Sequence, residues 1–289
     1  MITLYCFGRF AIVTPMIQQK HPQNNSVNII CNWLKLFTRL ATFLYTVVWY
    51  TRSMHKKVVI VLPAYNAAKT LERTVNDIPE GSYDEIVLVD DASQDSTAEL
   101  ARSLGIHTIV HPKNRGYGGN QKTCYTHALE QGADIVVMLH PDYQYDPTVV
   151  PTITEPLRKG EADMVMASRF LSKDPRAQGM PRYKYLGNRL LTMLENWVFN
   201  QNLSEYHSGY RAYTRSLLKE VGFEKFSDNF VFDSQMMASV AGRKLRIAEI
   251  SIPTRYFEEA SQTSLKQSIR YGLATLGVLF RYLTGKYKK

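Results

Sequence analysis

Cysteine is scarce: three in 289 residues, Cys6, Cys31 and Cys124. They form no C-x-x-C pair and no metal-ligand spacing, which excludes a disulfide framework and a structural zinc site and fits a reducing compartment. Acidic residues are missing from both ends. The first 57 residues hold seven Lys or Arg and no Asp or Glu, and residues 265–289 hold six and none. The net charge is +9, so the stretch between is mildly acidic. A nucleic-acid binder carries its basic residues on the folded domain itself, so nucleic acid is not an expected partner. Basic, partly apolar ends around an acidic body point to an anionic membrane surface; two solvated tails are the plainer alternative.

An uninterrupted membrane-spanning run is also missing. Residues 29–50 are hydrophobic but broken by Lys35 and Arg39, and the charge-free piece 40–51 has 12 residues, against about 20 for a span. Three readings stay open for this segment: a marginal span with snorkelling cations, an interfacial helix, or an upstream extension of a domain that starts after Met54. Nucleotide loops are lacking too. No G-x-x-x-x-G-K-[ST] occurs, and the turn after the first strand is Pro63-Ala64-Tyr65-Asn66, without glycine, where a dinucleotide fold needs G-x-G-x-x-G. Gly116, Gly118 and Gly119 come two units too late. There is no low-complexity tract and no repeat of fixed period.

What is present is alternation. "VVIVLP" (58–63), "EIVLVDD" (85–91), "HTIVH" (107–111) and "IVVML" (135–139) read as strands, the β-branched runs among them as buried ones. Helical spacing fills 69–78, 95–104 and 120–132 between them. This order predicts a parallel sheet covered on both faces, with ligands beyond the carboxyl ends of its strands. Four polar stretches fall at those ends: "PAYN" (63–66), "DDAS" (90–93), "HPKNRGYGGNQK" (111–122) and "HPDYQYDP" (140–147). In the last, His140, Asp142 and Gln144 alternate with Pro141, Tyr143 and Tyr145. On its own it reads as a polar turn or as a metal and phosphate site.

Together, "VVIVLPAYNAAKTLERTV", "EIVLVDDASQDST", "NRGYGGNQKT" and an apolar strand ending in a carboxylate cluster resemble the inverting family 2 glycosyltransferases of GT-A fold. "ADMVMASRF" (162–170), "SGYRAYTR" (208–215) and "AEISIPTRYF" (248–257) look like its polyprenyl-phosphate branch, typified by dolichyl-phosphate mannose synthase. The resemblance covers about residues 56–260. It implies an α/β GT-A fold, a mostly parallel Rossmann-like sheet with helices on both faces, a nucleotide-diphosphate sugar donor (UDP- or GDP-hexose) and a divalent cation, Mn²⁺ or Mg²⁺. By matching positions, Pro63, Ala64, Tyr65, Asn66, Asp90 and Asp91 border the nucleoside, and Asn114, Gly118 and Lys122 lie near the diphosphate. A strand-end and helix-capping role is the plainer reading of Asp90 and Asp91, and a solvated helix-start lysine that of Lys122.

The family's Asp-x-Asp-x-Gln metal motif stands here as His140-Pro141-Asp142-Tyr143-Gln144, with His in place of the first Asp. The resemblance makes Asp142 the metal-holding carboxylate, with Gln144 beside it. It leaves His140 as a ligand, a donor to phosphate or an orienter of Asp142. Oxygen ligands suit Mg²⁺, whereas an imidazole is more at home on Mn²⁺. On the acceptor side, Arg169, Arg182, Lys184 and Arg255 form a basic set for a phosphate, and Asp233 is the candidate base or acceptor-positioning carboxylate.

The expected organisation is an N-terminal hydrophobic and basic extension (1–53), a catalytic domain (54–260) and an amphipathic basic C-terminal helix (261–289). In that helix Leu265, Ile269, Leu273, Leu276, Phe280 and Leu283 share a face. It lies on a membrane or packs on the domain. Leu186, Leu190, Leu194 and Trp197 share another face over 185–201, for which core packing is the plainer reading. The expected activity is transfer of a hexosyl unit to a polyprenyl phosphate at the cytoplasmic face of a membrane, a membrane-protein partner being open. Alternatives are a glycan or glycolipid hydroxyl acceptor, a sugar nucleotidylyltransferase, disfavoured because "PAYNAAKT" lacks a glycine-rich basic loop, and a non-catalytic membrane-binding module.

Overall fold

The computed structural model describes residues 4–7, 10–13, 33, 35–42, 55–171, 174–253 and 265–287. The chain divides into two compact units, Met1–His55 and Lys56–Lys289. In the first, β1 (Leu4–Phe7) pairs antiparallel with β2 (Phe10–Val13), Phe7 opposite Phe10, a hairpin where the sequence shows no periodic pattern. Residues 35–42 are helical (α1) and expose Leu36, Phe37 and Leu40. The rest of the apolar stretch 40–51 lies outside the described residues. Among the described residues, no helix is long and apolar enough to cross a membrane.

The second unit is built on seven strands: β3 (Val58–Ala64), β4 (Glu85–Asp90), β5 (His107–Val110), β6 (Ile135–Met138), β7 (Met164–Ser168), β8 (Arg211–Thr214) and β9 (Ile247–Ser251). Its helices are α2 (Leu71–Asn76), α3 (Thr97–Ser103), α4 (Tyr117–Glu130), α5 (Val150–Lys159), α6 (Arg182–Phe199), α7 (Arg215–Val221), α8 (Phe232–Gly242) and α9 (Leu265–Leu283). The strand order is β5-β4-β3-β6-β8-β7-β9. All pairings are parallel except those of β8, which runs antiparallel between β6 and β7.

Alternation along the strands builds a core on each face. Val59, Val61, Val136, Met138, Met164 and Met166 pack with Cys124, Tyr125 and Ala128 of α4, with α8, and with Val278, Leu279 and Tyr282 of α9. Val58, Ile60, Leu62, Ile135, Val137 and Val165 face Leu71 of α2, Ala101 of α3 and Val150, Ile153 and Leu157 of α5. Burial raises the pKa of the Cys124 thiol, so it is an inert core group rather than a nucleophile.

The two amphipathic helices present their apolar stripes outward. On α6, Leu186, Leu190, Met193 and Trp197 are exposed, Trp197 at 78%, and on α9 so are Ile269, Leu273, Leu276, Phe280 and Leu283. Of the expected α6 stripe, Leu194 packs against the core, whereas Leu186, Leu190 and Trp197 face outward, so core packing accounts for only one of its four residues. The helices seat on the domain through other faces: Thr192, Glu195 and Phe199 on α6, and Thr275, Val278, Leu279 and Tyr282 on α9. They also touch each other, with Leu191 lying 3.8 Å from where a Cβ on Gly272 would sit.

Candidate active site

The carboxyl ends of β3, β4 and β6 open on one side of the sheet, where β3 lies between the other two. The loops leaving them hold three of the non-glycine residues with left-handed backbone: Asn66 (φ 53°), Ala92 (φ 61°) and Tyr143 (φ 56°). Such conformations cost about 1–3 kcal/mol each and persist where surrounding contacts impose them. Here Asn66 accepts from Gln94 N at 2.8 Å and donates its own N–H to Ser93 Oγ at 2.8 Å, tying the first two loops together. Pro63 and Ala64 are buried in β3, and Tyr65 emerges beside them 53% exposed, an open aromatic face.

Asp90 and Asp91 are both buried and both engaged. Asp90 accepts from Ser93 N at 3.0 Å and from the Ser93 hydroxyl. Asp91 accepts from His111 Nδ1 at 2.7 Å, Arg115 N at 2.8 Å and Gly116 N at 3.0 Å. Asp91 thus fixes the 111–116 loop over the strand ends, and Asn114 Oδ1 adds a 3.0 Å contact to Gly116 N. The glycines of "NRGYGG" have a packing reason. A Cβ on Gly118 would lie 2.3 Å from Ser227 O, and one on Gly116 2.7 Å from Asp228 O. The amides of Gly118 and Gly119 donate to Asp228 O, and Lys122 Nζ donates to Phe226 O and pairs with the Asp228 carboxylate at 2.9 Å. The structure therefore places Gly118 and Lys122 against the 226–229 segment. The resemblance sets both, with Asn114, near a diphosphate, and these contacts hold the segment that carries them.

"HPDYQYDP" is an anchored turn whose two residue sets do different work. Pro141, Tyr143 and Tyr145 are buried, whereas His140, Asp142 and Gln144 are half-buried. The Pro141 carbonyl accepts from Thr70 Oγ1 at 2.6 Å and Thr74 Oγ1 at 3.3 Å. The Tyr143 ring lies 4.1 Å under the Arg73 guanidinium and its hydroxyl donates to Asp77. Gly209 N donates to Tyr145 Oη at 3.1 Å. Among the described residues, Asp142 accepts one hydrogen bond, from Gln144 N at 3.1 Å.

No cluster of three or more His, Cys, Asp or Glu with metal-binding geometry occurs among the described residues. What this corner offers is one half-buried carboxylate, an imidazole and an amide. That set fits a cation completed by substrate phosphates and water, the habit of Mg²⁺ and similar ions. Burial holds the His140 imidazole below its ordinary pKa, against the opposing pull of Asp142 and Asp233, so a lone pair is available.

Asp233, at the start of α8, comes to the same corner. Its Oδ2 accepts from Tyr117 Oη at 2.8 Å, its Oδ1 from Gln121 Nε2 at 3.4 Å, and Arg211 Nη1 stands 3.5 Å from Oδ1. Arg211 is fully buried in β8, donating to the carbonyls of Ser208 and Tyr206 at 2.8 Å each. Burial works against its charge, but Asp233 and the neighbouring tyrosines outweigh that, and its pKa rises. Tyr117 is half-buried; its desolvation and the neighbouring Asp233 carboxylate drive its pKa well up and keep the phenol protonated.

Arg169 follows β7 and is locked onto Glu205. Its backbone N donates to Glu205 Oε2 at 2.9 Å and its Nε to Oε1 at 2.8 Å; its Nη2 also reaches Oε1. Burial pushes the Glu205 carboxyl up, but Arg169 and Asn188 pull it net below its usual range. Lys184 is close enough that burial and the Arg169 charge lower its pKa. Arg182 is exposed at the start of α6, and Arg255 lies outside the described residues. Of the basic set, the structure brings Arg169 and Lys184 together. Sequence reasoning missed Tyr117, Arg211, Glu205 and Gly209; the signals available were the charge inside "RAYT" and the glycine preceding it.

The family model described as Glycosyl transferase family 2 matches residues 59–222. A UDP-N-acetylglucosamine–dolichyl-phosphate N-acetylglucosaminyltransferase of Methanococcus voltae is 28% identical over 221 residues, covering 70% of this chain and 87% of that protein. A dolichyl-phosphate hexose transferase of Haloferax volcanii is 27% identical over 208 residues, covering 71% and 85%. Among solved structures, glucosyl-3-phosphoglycerate synthase from Mycobacterium tuberculosis, in complex with Mn²⁺, UDP-glucose and phosphoglyceric acid, aligns with a TM-score of 0.62 at 20% identity. That alignment covers 78% of this chain and 79% of that one, and it shows the shared GT-A fold. The match over residues 59–222, more than half the chain, and the sheet that those residues form place this protein in glycosyltransferase family 2.

Proposed function

We propose that this enzyme transfers a hexosyl unit from a nucleotide-diphosphate sugar to a polyprenyl phosphate, aided by a divalent cation. The observation that carries the reading is the convergence of Tyr65, Asp142 with His140 and Gln144, and Asp233 at the carboxyl ends of one sheet. The names of the dolichyl-phosphate relatives support the acceptor class, and the Mn²⁺ and UDP-glucose complex of the structural neighbour supports the donor and the ion.

Tyr65 offers a face for the base. Asp142 and His140 would hold the cation, which supplies positive charge to the leaving diphosphate. An acceptor phosphate oxygen attacks the anomeric carbon; the bond to the donor's phosphate oxygen breaks, and the nucleoside diphosphate leaves with that electron pair. A phosphate acceptor is already an anion and needs no base. This agrees with Asp233, whose two oxygens are already engaged by Tyr117, Gln121 and Arg211. Arg169 and Lys184 supply positive charge for the acceptor phosphate, Arg169 being oriented by Glu205. The exposed apolar stripes of α6 and α9, beside Arg182, Lys266, Arg270 and Arg281, support docking on an anionic membrane surface where a polyprenyl chain resides.

The test is a donor screen. Radiolabelled UDP- and GDP-hexoses are offered with Mn²⁺ or Mg²⁺ and a polyprenyl phosphate. Label in a mild-acid-labile lipid is the expected outcome. Label in no lipid from any donor, with Asp142→Ala indistinguishable from the native protein, refutes it.

A further inference from the structure

Away from the candidate active site, a cavity of about 250 Å³ opens between α8, the turn that follows α7 and the chain just after α9. Gln235, Ser239 and Arg243 recur every four residues and line it from one side of α8. Asp233 lies two residues before Gln235, about 200° around the helix. The cavity and the candidate active site therefore use opposite sides of α8.

The cavity carries charge of one sign. Lys225, Arg243 and Lys286 line it, and no Asp or Glu among the described residues does. None of the three cations forms an ion pair among the described residues. Arg243 is held through one nitrogen. Its Nη1 donates to Ser239 Oγ at 2.6 Å and stands 3.4 Å from the carbonyls of Ser239 and Tyr287. Its Nε and Nη2 have no partner among the described residues. That is the edge with which Arg176 grips Asp174 and Arg246 grips Asp163 in this same chain. Tyr287, 6% exposed, adds a donor. Gln235 Oε1 accepts from Ser227 N at 2.7 Å, which fixes the sense of the amide, and Gln235 Nε2 donates to Tyr287 Oη at 3.3 Å. The phenol oxygen is thus an acceptor toward Gln235, and its own proton has no acceptor among the described residues.

Like charges around one cavity repel, and a bound anion relieves the repulsion. A held guanidinium edge suits the paired oxygens of a carboxylate or phosphate. Two further ammonium groups favour the more highly charged phosphate. The volume falls just below the roughly 300–1,000 Å³ of sites for drug-sized ligands. We propose that this cavity is an anion site for a phosphate group bearing a small polar substituent. The Arg243 edge grips it, Lys225 and Lys286 supply charge, and the Tyr287 hydroxyl donates a further hydrogen bond. The proposal does not rest on the glycosyltransferase reading, since no residue of that site takes part. Two sources carry such a group: the headgroup of an anionic phospholipid, and a small soluble phosphate ester.

Calorimetric titration of the full chain with glycerol 3-phosphate, with sodium chloride holding the ionic strength constant, reads the site directly. Saturable one-to-one binding is expected. Lys225→Gln combined with Lys286→Gln should weaken it by about tenfold or more, and so should Arg243→Lys, which keeps the charge and loses the planar edge. Both lysines are exposed, so their double variant tests the site even where Arg243→Lys fails to fold. Arg102→Gln combined with Lys159→Gln removes the same charge from exposed positions on α3 and α5, over the other face of the sheet. That control should stay within about twofold of the native affinity, its charges being screened from the cavity. Absence of saturable binding overturns the proposal. So does binding that the lysine double variant retains in full, or an equal loss in the control. Flotation on phosphatidylglycerol vesicles, with and without glycerol 3-phosphate, then assigns the source. For a headgroup ligand, the soluble ester reduces flotation of the native chain and not of the lysine double variant. For a soluble ligand, it leaves flotation of both unchanged. Either result supports the anion site that calorimetry detects, and neither rescues it where calorimetry fails.

Discussion

Tyr117 and Asp233 are joined by a 2.8 Å hydrogen bond across 116 residues of sequence. Tyr117 opens α4 and Asp233 lies in the first turn of α8, so the bond ties the two helix starts that flank the candidate site. Arg211 completes the arrangement from inside the sheet, where its side chain is wholly shielded from water. A buried charge of this kind is tolerable only while it is paired. Asp233→Ala should therefore destabilise the fold by about 3–5 kcal/mol, the cost of stranding Arg211. Pairing it with Arg211→Met should recover much of that loss. Urea unfolding of the two single variants and the double variant measures the coupling; strictly additive effects would show that the ion pair does not hold the site together.

Gly209 constrains His140. A Cβ there would stand 2.7 Å from Nε2, so Gly209→Ala must push the ring aside or shift the backbone ahead of β8. The expected cost is about 1–3 kcal/mol from overpacking, together with a loss of transfer activity larger than the stability change explains. Activity at a temperature well below unfolding, read beside the melting curve, separates the two. Native turnover in Gly209→Ala would mean that the position of His140 is immaterial.

How far the sequence foretold this arrangement depends on where each partner lies. Strands β3, β4 and β6 were legible because each is a run of apolar or β-branched residues set largely inside the protein. β8 was not. "RAYT" carries an arginine at its start, and only Asp233 and the carbonyls of Tyr206 and Ser208, all supplied by the folded chain, make that charge admissible in a central strand. The alternation in "HPDYQYDP" was visible in the sequence, and the structure gives its cause: the odd-numbered residues are anchored on α2 and its ends and on Gly209, ahead of β8, and the even-numbered ones stay half-buried. The resemblance set Gly118 near a diphosphate, but no sequence signal showed that a Cβ at 116 or 118 would meet the backbone of 227–229. Periodicity located the stripes on α6 and α9 but not the direction they face, because a helix can seat through its small and polar residues, as Thr192 and Thr275 show.

Glu205 makes the acid stability of the protein predictable. Its folded pKa lies below the ordinary carboxyl value of 4.5, because Arg169 and Asn188 favour the charged form more than burial opposes it. The unfolded chain therefore binds the proton first. The stabilisation is fully present above that ordinary value and drains away as pH falls through the lower folded one. Glu205→Gln should flatten this part of the acid limb and cost about 3–5 kcal/mol near neutrality by leaving Arg169 poorly paired. Unfolding free energies between pH 3 and 6 test both; an acid limb unchanged by the substitution would assign it to other carboxylates.

Asp142 should behave in the opposite way. It is half-buried and, among the described residues, accepts one hydrogen bond, from the Gln144 amide, so Asp142→Ala should leave the melting temperature nearly unchanged. Transfer should fall by about 100-fold or more, the scale seen when a charge-stabilising group at the reacting centre is removed. An imidazole beside the carboxylate also predicts better support by Mn²⁺ than by Mg²⁺. With donor nucleotide present, Mn²⁺ should raise the melting temperature of the native protein by mass action and not that of Asp142→Ala. Equal metal-dependent shifts in both proteins would move the cation away from this turn.

The outward stripes of α6 and α9 predict where the protein sits. Trp197, at 78% exposure, and Phe280, at 69%, are the largest apolar groups that the two helices leave uncovered. Burying one such side chain in a lipid interface is worth about 2–3 kcal/mol. Removing either should thus lower vesicle partitioning by about tenfold or more, since 1.4 kcal/mol is a factor of ten. Arg182, Lys266, Arg270 and Arg281 add about 1 kcal/mol each near an anionic surface, a contribution that salt screens. Flotation on phosphatidylglycerol vesicles should therefore exceed that on phosphatidylcholine and weaken in high salt. Trp197→Ser combined with Phe280→Ser should weaken flotation on both lipids without altering turnover on a short-chain, water-soluble polyprenyl phosphate. The last comparison is the decisive one. If the double variant floats like the native protein, the stripes do not meet lipid. If it loses turnover on the soluble acceptor as well, they serve the catalytic fold itself rather than its approach to a membrane.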